Sequence, residues 1–149
     1  MMKKLSIAVP LLAFPVLLYF LVAMTTGNSD GMTGPPVRQL LDTAIFNMPM
    51  ISGGSWRFSV GDGILLFGLI ALFIEIIKST NSKAYVLINH GLSMAMFVIS
   101  LITFILFRSF ATSEFFLLLS MMLLDVVAGF MVTIVAARRD FGIEAGLGS

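Results

Sequence analysis

Four runs of apolar residues dominate the sequence, at 5–24, 60–77, 84–107 and 115–137, and each is long enough to cross the hydrocarbon core of a bilayer as a helix. Lipid offers backbone N–H and C=O groups no partner, so a chain built from such runs can cross only as helices. The composition agrees. Hydrophobic residues make up 58% of 149, charged residues 11%, and the mean hydropathy is +1.04, values outside the range of a soluble domain of this size. These features predict an all-α polytopic membrane protein, a single domain over residues 1–149 folded as a four-transmembrane-helix bundle.

Local signals mark the ends of the runs. Ser59-Val-Gly-Asp62 matches a capping box that would start the second span, and Ser113 followed by Glu114 would start the fourth. In the first span Pro10 and Pro15 each remove a backbone donor and are expected to kink it. Its Lys3-Lys4 start also fits a cleavable signal peptide. The 20-residue run exceeds an ordinary signal core, and Val22-Ala-Met24 is a poor cleavage site, so a retained helix is expected.

The segment between spans one and two carries its own pattern. After the Gly-rich stretch 27–34, Pro35 and Pro36 can open a helix, and Val37, Leu40, Leu41, Ala44, Ile45 and Met48 follow at helical spacing. This predicts an amphipathic helix over residues 36–48 that lies on the outer leaflet or covers the mouth of the bundle. It would end at Met48-Pro-Met50. A Met-x-Met pair can ligate Cu(I), but no His or Cys stands near it, so neither a metal nor any other cofactor is expected.

Basic residues set the orientation. With an inside N-terminus, Lys3, Lys4, Lys78, Lys83, Arg138 and Arg139 fall on the inner side and Arg38, Arg57 and Arg108 on the outer. Six against three predicts a cell inner membrane protein, bacterial in type, with both termini cytoplasmic. Trp56, Phe107, Phe110, Phe115 and Phe116 fit an outer aromatic belt, and Tyr85 an inner one.

Polar and small residues fall into stripes on the spans. Gly61, Gly68, Ala71 and Glu75 share one face of span two; Asn89, Ser93, Met96, Ser100 and Thr103 one face of span three; Asp125, Gly129, Thr133 and Ala137 one face of span four. Close approach at Gly68, Ala71, Ser93, Gly129 and Thr133 should bring these faces together. Asp125 is the residue that most suggests a task. Helical rise puts it roughly 16 Å from Glu114 and roughly 20 Å from Arg138, near the membrane midplane, where insertion scales assign an Asp a cost of about 2.5–3.5 kcal/mol. His90, the lone histidine, lies about 10 Å inward from Lys83 and is a potential partner for Asp125. Glu75, three residues before Lys78, is expected to reach toward the headgroups and pair with that lysine. Glu75, Asn89, His90 and Asp125 are therefore the intramembrane candidates.

Several functions are excluded or disfavoured. A net charge of +1 provides no field for nucleic acid. Without cysteine there is no disulfide, thiolate nucleophile or Cys-ligated metal, which rules out four-span thiol oxidoreductases. No Gly-x-Ser-x-Gly, phosphate loop or His-x-x-x-His occurs, so an enzyme is not expected. Two readings stand. The first is a non-enzymatic accessory or assembly subunit whose partners are the lipid bilayer, other membrane subunits or further copies of itself. The second is a proton- or ion-conducting element with Asp125 as the titrating site.

Overall fold

The computed structural model describes residues 10–25, 36–79 and 84–146. In chain order these form helix α1 (Ala13–Thr25), helix α2 (Pro36–Leu41), strands β1 (Ala44–Pro49) and β2 (Ser55–Ser59), and helices α3 (Val60–Ser79), α4 (Ala84–Leu106) and α5 (Ser113–Gly146). A 3-10 turn at Arg108–Phe110 joins α4 to α5. Residues 1–9, the Gly-rich stretch 27–34 and the turn 80–83 lie outside the described residues, as do the side chains of Tyr85, Ala137, Arg138 and Arg139.

Among the described residues three helices are long and apolar enough to cross a membrane: α3 over Val60–Lys78, α4 over Ile88–Leu106 and α5 over Ser113–Val135. Their limits follow the apolar runs. Helix α1 is also apolar, but its 13 described residues rise only about 20 Å, short of a full crossing. Pro15 lies near its start. It occupies the first turn, where an N–H has no intrahelical acceptor, while the Pro10 carbonyl closes the preceding turn by accepting the Ala13 N–H at 3.0 Å.

The predicted helix over 36–48 is corrected by the structure. Helix α2 stops at Leu41 after burying Val37 and Leu41, and residues 44–49 form a strand paired antiparallel with Ser55–Ser59. Aromatic pairing explains the switch. Phe46 stacks on Phe58 at 4.9 Å and meets Trp56 edge-on at 5.8 Å, and each such pair contributes about 0.5–1.5 kcal/mol that a helix would forgo. The five-residue connection at the tip is closed by the Met50 N–H donating to the Gly54 carbonyl and the Gly53 N–H donating to the Met50 carbonyl. Gly53 takes φ of +82°, a left-handed conformation that suits glycine.

The capping box at the start of α3 forms as its sequence implies: the Ser59 N–H donates to Asp62 Oδ2 at 2.9 Å, and the Asp62 N–H donates to Ser59 Oγ at 3.2 Å. At α5 the cap is Thr112 rather than Ser113, since its hydroxyl accepts the Phe115 N–H at 3.2 Å. The same hydroxyl bonds the Tyr19 hydroxyl at 2.6 Å, and Tyr19 also donates to the Ser109 carbonyl, so α1 is fastened to the α4–α5 turn.

Helix α5 is the centre of the packing. It lies against both α3 and α4, while α1 rests mainly on α3. Toward the hairpin end the core is Tyr19, Val37, Leu41, Ile64, Phe115 and Leu118; further along, Leu12, Ala71, Leu72 and Met122 continue it. The polar residues gather beyond that, near Lys78.

Candidate functional site

Glu75 organises the site. It is 1% exposed, so it does not reach out to headgroups; it turns inward from the face of α3 that also carries Gly68 and Ala71. Its carboxylate receives donors from three directions. The Leu11 N–H, at the start of α1, donates to Oε2 at 2.8 Å. Lys78 Nζ donates to Oε1 at 3.2 Å, and the Asn89 side-chain amide donates to the same oxygen. Lys78 closes the triangle by donating to Asn89 Oδ1 at 3.2 Å. A buried carboxylate is tolerable only when paired and hydrogen-bonded, and here both conditions hold.

This network carries a structural load. Helices α3 and α4 pack chiefly on α5 rather than on each other, so Glu75, Lys78 and Asn89 bridge two spans that share little else. The Leu11 bond adds α1 to the same node. Leu11 lies in the turn that leads into α1, and Glu75 supplies its N–H with an acceptor from another helix.

One turn deeper, Asp125 is buried between α4, α5 and the start of α1. It lines a narrow gap with Pro10, Leu12, Ser93, Met96 and Met122 that leaves no room for a water molecule. The Ser93 hydroxyl lines the same gap as the Asp125 carboxyl, yet it makes no hydrogen bond of ordinary geometry among the described residues.

His90 is placed by a glycine. Its ring meets Phe130 edge-on at 5.2 Å and lies so tightly against Gly129 that a Cβ there would collide with three ring atoms. Its Nε2 is buried without a hydrogen-bond partner among the described residues. Gly129 is four residues from Asp125 on the same face of α5, so histidine and carboxylate are neighbours along one seam.

Of the residues singled out in the sequence, Glu75 and Asn89 bond directly, Ser93 lines the same gap as Asp125, and His90 packs on Gly129. Gly68 lies against Leu118 and Met121, and Ala71 is buried in the core. Thr133 shows only a bond within its own helix among the described residues. It is exposed and returns its hydroxyl to the Gly129 carbonyl of its own helix at 2.9 Å. Two members of the site had no forecast role there: the Leu11 amide, and Lys78 as the bridge to Asn89. Among the described residues no group of three His, Asp or Glu side chains could hold a metal.

No protein-family model matches the chain, and no curated protein or solved structure is similar enough to count as a match. The function must be argued from the site alone.

Proposed function

We propose that the chain is a non-enzymatic accessory or assembly protein of a membrane complex, held in a bacterial inner membrane by four spans with both termini cytoplasmic. The supporting observation is the commitment of Glu75: its two oxygens take donors from α1, α3 and α4, which is the work of a clamp between helices. The interior argues the same way. From Asp125 toward the hairpin, Met122, Leu118 and Phe115 set an apolar stretch between the carboxyl and the Tyr19–Thr112 hydroxyl pair. A clamp of this kind gives a rigid body whose lipid-facing helices can receive a neighbour.

A proton- or ion-conducting element is the rival reading, favoured by two buried atoms without hydrogen-bond partners among the described residues, Ser93 Oγ and His90 Nε2, one turn apart on α4. Asp125→Asn and Asp125→Leu separate the two. For an assembly protein, the Asn variant should keep its abundance and its co-purifying subunits in mild detergent, whereas the Leu variant loses them. Vesicles carrying the wild type should dissipate a pH gradient no faster than empty ones. A wild-type flux that disappears in an intact Asn variant would establish conduction, because an amide cannot exchange the proton.

The orientation has its own test. Six of nine basic residues lie in the proposed inner segments, so reporters fused at the C-terminus or within 80–83 should read cytoplasmic, and those within 27–59 external. A C-terminus reading external would remove one span from the proposal.

A further inference from the structure

The hairpin β1–β2 has one apolar and one polar face. Cross-strand register places Phe46 opposite Phe58 and Met48 opposite Trp56, all on one side, while Asn47 pairs with Arg57 and points to the other. Trp56, Met48 and Phe46 are 46%, 49% and 42% exposed, so the described residues leave this apolar side uncovered. The tip continues it with Met50 and Ile51.

The position of this face is what identifies its occupant. Strand β2 runs into α3 without an intervening residue, and Ile45 and Phe58 close over Gly63 on the first turn of that helix, so near that a Cβ there would sit 3.7 Å from each. Gly63 begins the stripe Phe67, Ile70 and Ile74, at i+4, i+7 and i+11, all exposed and belonging to a span. The hairpin's apolar side is thus a continuation of the lipid-facing side of α3. Depth is limited by the backbone. A two-stranded ribbon has unpaired N–H and C=O groups along both edges, which cannot enter hydrocarbon, and Arg57 on the polar face also requires phosphate or water.

We infer that the β1–β2 hairpin is a membrane-interface anchor, with Phe46, Met48, Trp56 and Phe58 seated on phospholipid at the glycerol level and Asn47 and Arg57 directed to headgroups and water. The inference holds for either reading of the function, since it depends only on α3 crossing the bilayer.

Trp56 is the sole tryptophan, so the emission of the unmodified protein reports on this face directly. The full chain, one copy per phosphatidylcholine nanodisc, would be examined with nitroxide lipid labelled near the glycerol end of the acyl chain, with lipid labelled near the methyl end, and with aqueous iodide. Blue-shifted emission is expected, quenched several-fold more by the shallow label than by the deep one and weakly by iodide. Strong iodide quenching without lipid quenching would overturn the inference. So would shielding from every quencher, which would mean that protein covers the face. Met48→Asp, directly opposite Trp56, should shift quenching from lipid to iodide, while Asn47→Asp adds the same charge on the other face and should leave the pattern unchanged. If the two variants behave alike, the hairpin is not seated by its apolar side.

Discussion

Glu75→Ala is expected to destabilise the bundle by about 3 kcal/mol, the low end for breaking a buried ion pair, because the Lys78 side chain remains 19% exposed and can recover some hydration. The substitution removes the acceptor of three donors at once: the Leu11 amide, the Lys78 ammonium and the Asn89 amide. Glu75→Gln should fall in between. It retains one acceptor oxygen but turns an NH2 group toward donors. Adding Lys78→Ala to Glu75→Ala should restore part of the loss, since the cation stranded in the seam is then gone. Unfolding free energies measured by steric trapping in bicelles would settle the matter; a loss below about 1 kcal/mol, the scale of an ordinary interhelical hydrogen bond in a membrane, would show that the node is dispensable.

The second large effect is expected at Gly129. Alanine there must displace the His90 ring, which is wedged against Phe130, and overpacking of this kind costs about 1–3 kcal/mol. Gly68→Ala should cost less. Its new Cβ would meet Leu118 Cδ2 at 2.7 Å and Met121 Sδ at 3.1 Å, the ends of side chains that can rotate away. Gly91→Ala meets nothing within 4 Å and should be neutral or stabilising by up to about 1 kcal/mol through helix propensity. His90→Ala combined with Gly129→Ala should recover much of the Gly129 loss in the same assay. Equal penalties at all three glycines would show that the His90 seat has no special weight.

The spans were legible because lipid removes every alternative to a helix, so run length translates almost directly into Val60–Ser79 and Ala84–Leu106. The capping box at Ser59 was legible because it is local. The hairpin was not, although its signals were present: Phe46 and Met48 alternate with Asn47, Trp56 and Phe58 flank Arg57, and Gly53-Gly54 stand between the runs. Val37, Leu40 and Leu41 are helical, and the same spacing happens to continue into Ala44, Ile45 and Met48. A helical stripe extended by coincidence outweighed a two-residue period split across two strands.

The candidate site divides in the same way. The Glu75–Lys78 pair could be read from a separation of three residues, but not its direction. Whether a carboxylate near a span end turns outward or inward depends on which donors await it, and here they come from Asn89, 14 positions away, and Leu11, 64 positions away. His90 and Gly129 were each noticed, one as a titrating group and one as a small residue. That the second is the seat of the first is a matter of packing across α4 and α5, with no trace in either local sequence.

The bond between Leu11 and Glu75 bears on how the protein is made. At about 5–20 residues per second, a ribosome needs roughly 3–13 s to travel the 64 positions that separate them. Throughout that interval the Leu11 amide lacks its Glu75 acceptor, and the Asn89 contribution arrives later still. The first hydrophobic segment therefore waits for this contact until α3 is synthesised and folds back against it. If seating of the first segment depends on this bond, a nascent chain halted before Glu75 should dwell with the insertion machinery instead of partitioning into lipid.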